Sequence, residues 1–138
     1  MTLAELRTAL DGAKTGTVVE TVFFDYNTIL NETITKTYPV VVWDIDNMKG
    51  VKPIRTIQKE ETIEINCWCI NEYTPDADKI AAWDVLIAAM DAYLLSVNSS
   101  AKVSVKIEDV SWELFPEAFS SVDRELAVLY KIELTLWC

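Results

Sequence analysis

The sequence predicts an α+β fold, a mainly antiparallel sheet carrying one long helix and a short N-terminal helix in the order α-β-β-β-α-β-β. Three observations predict it. Apolar residues recur at helical spacing in Leu3–Leu10 and again from Asp76 to Val97. Alternating runs rich in β-branched and aromatic residues fill most of the remainder. Only one long helical segment lies between strands, so a doubly wound parallel sheet lacks its crossovers.

The bounds fit a single domain over residues 1–138. A chain of 138 residues buries about two-thirds of its unfolded surface, so neither a disulfide nor a metal is needed for folding. At 51% hydrophobic it is not a disordered chain. No apolar run approaches the ~20 residues of a membrane span, and the charged start Met-Thr-Leu-Ala-Glu-Leu-Arg is unlike a signal peptide. These features predict a soluble cytoplasmic product. Twelve Lys plus Arg against 22 Asp plus Glu give a formal charge of −10. That disfavours a grip on nucleic acid, which needs a basic footprint, but it leaves room for a surface past which DNA slides.

The first helix spans residues 2–13, with Leu3, Leu6 and Leu10 on one face. Thr2 and Glu5 form a capping box, and Gly12 and Gly16 end the helix. Val18–Tyr26 reads as a strand and Asn27–Lys36 as a loop or hairpin tip. Tyr38–Asp46 is the second strand, with Pro39 expected at its beginning or on an edge. Asn47–Lys59 reads as a loop. It holds Lys49, Lys52, Arg55 and Lys59, four of the chain's twelve cations. A basic loop on an acidic protein is a candidate for docking against an acidic neighbour, and a solvated loop is the plain alternative.

Glu61–Ile70 is the third strand, with Ile63, Ile65, Cys67 and Cys69 on one face and Trp68 and Ile70 on the other. Thr74-Pro75-Asp76-Ala77-Asp78 then starts the long helix, with Thr74 as cap. Ile80, Trp83, Ile87, Met90, Leu94 and Val97 form its expected core stripe, and Asp84 and Asp91 mark the opposite side. Lys102–Phe115 is a strand with a bend near Asp109, and Pro116–Asp123 is a loop. Leu126–Trp137 is long and regular, which predicts a central position in the sheet.

The chemistry-bearing residues are sparse. There is no histidine to activate a serine or complete a zinc site around Cys67 and Cys69, so those thiols are expected to be buried and reduced. Asp44-Ile45-Asp46 after Val40-Val41-Val42-Trp43 is similar to the start of a haloacid-dehalogenase-type phosphatase site, where the first Asp attacks phosphorus and the pair helps hold magnesium. Asn47-Met48 replaces that family's small turn and hydroxyl residues. Two solvated carboxylates at a strand end are the plain alternative. Glu60-Glu61 and Asp76/Asp78 already have structural jobs, at a strand start and a helix start. Among the five tryptophans, Trp68 and Trp137 are candidate subunit-contact anchors, because Trp is enriched at interface hot spots.

The layout of Leu3–Leu10, the strand blocks, the Pro75–Val97 helix and the final Leu126–Cys138 strand resembles the tail terminator and head–tail completion (neck) proteins of tailed bacteriophages. The likeness covers nearly the whole chain and lies in topology, with no signature residue to transfer. It implies a structural virion protein without catalytic residues, cofactor or metal. Such a protein forms a homo-oligomeric ring, commonly a hexamer, that caps the tail tube and joins it to the head or neck. Its partners would be itself, tail-tube proteins and neck proteins, with DNA only as passing cargo and no membrane. Its place would be the virion, after assembly in the host cytoplasm. On this reading Lys49, Lys52, Arg55, Lys59, Trp68 and Trp137 are the candidate contact residues, and the loops Asn27–Lys36, Lys49–Lys59 and Pro116–Asp123 are the candidate contact elements. A different neck ring or tail-tube subunit, and a small magnesium-dependent phosphatase using Asp44 and Asp46, are the alternatives.

Overall fold

Helix α1, Leu3–Gly12, begins with the expected capping box. The Glu5 amide donates to Thr2 Oγ1 at 3.1 Å, and the Thr2 amide donates to the Glu5 carboxylate at 3.4 Å. Ten residues are marginal as an isolated helix, and burial of Leu6 and Leu10 docks this one. Leu3, expected on the same face, is 62% exposed. Gly16 adopts a φ of 80° in the turn that follows, a left-handed conformation that a side chain would disfavour. These elements belong to a computed structural model that describes residues 2–25, 37–53, 60–73, 78–99, 102–115 and 124–137. The predicted loops Asn27–Lys36 and Pro116–Asp123 lie outside the described residues.

The strands are β1 (Thr21–Phe23), β2 (Val40–Trp43), β3 (Lys49–Pro53), β4 (Glu60–Tyr73), β5 (Val103–Phe115) and β6 (Arg124–Trp137), with helix α2 (Lys79–Asn98) between β4 and β5. The sheet order is β1-β2-β4-β6-β5, and β3 also pairs with β4. Among the described residues β1–β2 is the parallel pairing and the others are antiparallel. The α+β class and the element order match the sequence reading, and β6 is central as predicted. Pro39 precedes β2, following Tyr38 through a cis peptide bond. The bend expected near Asp109 is a register shift between Ile107 and Asp109, so Glu108 is the extra residue of a β-bulge.

Two predictions about local structure need correction. Residues 47–59 were expected as a loop, yet a 3-10 turn at Ile45–Asn47 leads into β3. The reason is that β4 runs for 14 residues while β2 covers only its second half, Cys67–Ile70. The backbone groups of its first half need partners, and β3 supplies them at Glu61–Glu64. The second correction concerns the long helix. Its cap is Asp78, whose carboxylate accepts from the Ile80 and Ala81 amides at 3.0 and 3.3 Å; Thr74–Ala77 lie outside the described residues.

The core-facing stripe of α2 is also rotated from the predicted one. Leu86, Ala89, Met90, Tyr93, Leu94 and Val97 are buried, Trp83 and Ile87 are half-buried, and Ile80 is 75% exposed. Met90, Leu94 and Val97 were placed correctly. Ile80 was not, because the helix is apolar on nearly every side and its sequence offers no sharp polar boundary. The same property overturns the expectation that no segment is apolar enough to span a bilayer. By length and composition Lys79–Asn98 is long and apolar enough to cross a membrane. A helix packed on a sheet passes the same test, and this one buries six residues of one side.

The main core joins α1, α2 and one sheet face through Leu6, Leu10, Trp43, Ile65, Cys67, Met90, Tyr93, Tyr130 and Ile132. At its centre the Tyr93 hydroxyl accepts from Trp43 Nε1 at 2.9 Å and donates to the Leu10 carbonyl at 2.6 Å. A second cluster on the other sheet face holds Val40, Val42, Ile70 and Ala127, with Phe23, Tyr38 and Trp68 against it. Burial on both faces explains the unbroken Val-Val-Val-Trp run of β2.

Leu86→Ala should cost about 2–5 kcal/mol, whereas Ile80→Ala should change stability by less than about 0.5 kcal/mol. Urea denaturation of both variants measures the difference, and equal losses would place the wrong face of α2 in the core. Tyr93→Phe should cost about 1–3 kcal/mol, because it strips the acceptor from a buried indole N–H. A thermal melt indistinguishable from the parent would contradict that role.

Candidate assembly surface

The outward side of α2 is built by the rotation just described. Ala81, Val85, Ala88, Ala92 and Leu95 are exposed and follow one another at spacings of four, three, four and three, which places them in one stripe along the helix. Val85 is 57% and Leu95 71% exposed. Asp84 and Asp91 are exposed along one flank, and Asp91 accepts from the Tyr130 hydroxyl at 3.3 Å. Burial, and then the Asp91 charge, push the Tyr130 hydroxyl well above its ordinary pKa.

Edge strand β5 extends this apolar surface. Ile107, Val110 and Trp112 are exposed on it. Trp112 meets Trp83 of α2 at a centroid separation of 5.1 Å and a tilt of 52°. A hollow of about 270 Å³ between the two elements is lined by Asp91, Leu94, Leu95, Asn98, Val105 and Ile107. The Asn98 side chain closes its end by accepting from the Val105 amide at 2.9 Å.

The sheet face away from α2 carries a carboxylate cluster. Glu64, Glu108 and Glu133 come from β4, β5 and β6, and their oxygens lie within 4.8 Å of one another. The β-bulge brings Glu108 into this group. A hydrogen bond with Glu133, followed by burial and by the Glu133 and Glu64 charges, raises the Glu108 pKa above its ordinary 4.5. The cluster opens into a hollow of about 280 Å³ that Asn47, Lys49, Asn66 and Lys131 also line. By donor type the three glutamates suit a hard divalent cation.

The candidate contact residues are dispersed. Lys49 is exposed on β3 and stands opposite Glu64 in the register. Lys52 lies on the same strand, opposite Thr62, while Arg55 and Lys59 fall outside the described residues. Trp68 is half-buried and packs on the second cluster of its own chain. Trp137 is 41% exposed at the end of β6, with its amide donating to the Lys102 carbonyl at 2.9 Å.

The remaining chemistry-bearing residues serve local structure. Asp44 flanks the 3-10 turn and accepts from Asn47 Nδ2 at 2.8 Å, and Asp46 is exposed. They stand on a largely antiparallel sheet, a framework unlike the phosphatase one. Cys67 and Cys69 are free, buried thiols. Burial pushes both up, Cys69 to about 12, so neither is a reactive thiolate at neutral pH. Sequence reading missed the Glu64–Glu108–Glu133 cluster because only strand register and a bulge bring it together. The outward stripe is carried in the sequence by the 4-3-4-3 spacing of Ala81, Val85, Ala88, Ala92 and Leu95. No known family model matches the chain, and no curated protein sequence is significantly similar to it.

A raised Glu108 pKa means that the folded protein holds this proton more tightly than the unfolded chain does. The associated stability is therefore present below pH 4.5 and lost as pH rises through the higher folded value. Glu133→Gln removes a neighbouring charge and should bring the Glu108 titration midpoint down. Carboxyl-carbon NMR titration reads this directly, and an unmoved midpoint would contradict the coupling.

Proposed function

We propose that this protein is a structural subunit that associates with copies of itself into a ring, with the tail-tube terminator of a tailed bacteriophage as the specific role. The observation that carries the proposal is the apolar outer surface formed by α2 and β5. Val85 and Leu95 on the helix, and Ile107, Val110 and Trp112 on the edge strand, are exposed beside a well-filled core. Exposed apolar residues grouped on neighbouring elements mark interaction sites. The element order supports the finer reading, since it is the order of the phage proteins that the sequence resembles. A net charge of −10 suits a lumen past which DNA slides, because acidic walls repel phosphate.

On this reading the protein works by binding and capping, without turnover. Copies close head to tail, one patch meeting a different patch on the next copy. The ring ends a tail tube and presents its other side to a neck protein. In negative-stain electron microscopy the purified protein should form discrete rings with a central hole. Long open tubes would replace the terminator role with that of a tube subunit. A monomer at every concentration tested by light scattering would overturn the assembly reading itself.

A further inference from the structure

We infer that the outward face of α2 is a socket for the β3 segment of a second copy of this chain. The inference deepens the ring reading and rests on it, because it names the two patches that meet. The socket combines a strip of Ala81, Val85, Ala88, Ala92 and Leu95 with the carboxylates of Asp84 and Asp91 along its side. Three of the five strip residues are alanines, so a neighbouring backbone can approach closely. The complementary segment begins at β3. Residues 49–59 hold Lys49, Lys52, Arg55 and Lys59 with no acidic residue, and interleave them with Val51, Ile54 and Ile57. This is a stretch of +4 in a chain of −10. Lys49, at its start, is exposed. An apolar strip with an acidic flank therefore has its counterpart in a partly apolar, basic segment of the same sequence.

Like-with-like contacts fit less well. Two α2 helices packed antiparallel through this strip would set Asp84 of each beside Asp91 of the other. Two β5 edges paired about their midpoints would bring together Glu108 and Asp109 from both copies, beside the Glu64 and Glu133 carboxylates. Each arrangement gathers four or more carboxylates, and like charges placed together are unfavourable. A contact between α2 and β3 pairs opposite charges instead. It is also heterologous, which is the kind that closes rings.

A charge-swap series tests the inference. Asp84→Lys with Ala88→Lys changes two exposed positions on the helix, and Lys49→Glu with Lys52→Glu changes the strand. Each pair should raise the concentration for half-assembly by about tenfold or more, read by light scattering at low ionic strength. The chain carrying all four substitutions should assemble again, which misfolding cannot mimic. If the helix pair assembles like the parent, or if the four-site chain is no better than either pair, the inference is wrong. In that case rings of the parent protein would leave the ring reading standing. Rescue accompanied by open tubes would uphold the α2–β3 contact and remove the terminator role.

Discussion

Tyr93 settles how the helices sit on the sheet. Its hydroxyl lies inside the core and joins three elements, accepting from the indole of Trp43 on β2 and donating to the last-turn carbonyl of Leu10 on α1. Apolar packing alone cannot choose the rotation of α2, because nearly every side of that helix is apolar. A buried polar group has a sharper preference, since leaving it unpaired costs more than a misplaced methyl group. With Tyr93 turned toward Trp43, residues Leu86, Met90 and Val97 point into the core. Val85 and Leu95 must then point out. The exposed apolar face is thus a consequence of a hydrogen-bonded tyrosine on the opposite side of the helix.

The sheet imposes a second constraint through strand length. Strand β4 is 14 residues long and pairs with β6 along its whole length. On its other flank β2 and β3 share the work, separated by the short turn at Ile45–Asn47. This division carries Lys49 to the mouth of the carboxylate hollow, opposite Glu64. It also places the first cations of the basic segment on a paired strand, where the backbone is held.

The sequence was most informative where a residue type has a single structural use. The Thr2–Glu5 capping box, the bend near Asp109, the central final strand and the buried Cys67–Cys69 face were all legible, because capping, alternation and strand length each point one way. Ile80 was misplaced because the apolar stripe of its helix has no clear edge. Lys49–Pro53 was read as loop because Gly50, Pro53 and the lysines are poor strand formers; the open flank of β4 overrode their preference. The glutamate cluster was hidden for another reason. Glu64, Glu108 and Glu133 are far apart in the chain, and the bulge that adds Glu108 is a property of register. Of the candidate contact residues, Lys49 and Trp137 were legible as surface positions, whereas Trp68 looked like a surface anchor until the second cluster gave its face a covering.

The bulge limits how the β5 edge can pair with another strand. Strand β5 is a sheet edge of 13 residues and exposes Ile107, Val110 and Trp112, a combination prone to edge-to-edge polymerisation. Inserting Glu108 in the middle breaks the strand's regular pairing and concentrates carboxylates there. The hydrogen bond with Glu133, ahead of the neighbouring charges, raises the Glu108 pKa, and a further acidic edge brought alongside would add like charge to this group. Carboxylates at the middle of an edge resist open-ended edge-to-edge stacking. The apolar stripe of α2, whose carboxylates lie to one side, is left as the surface that a basic partner can approach at least cost.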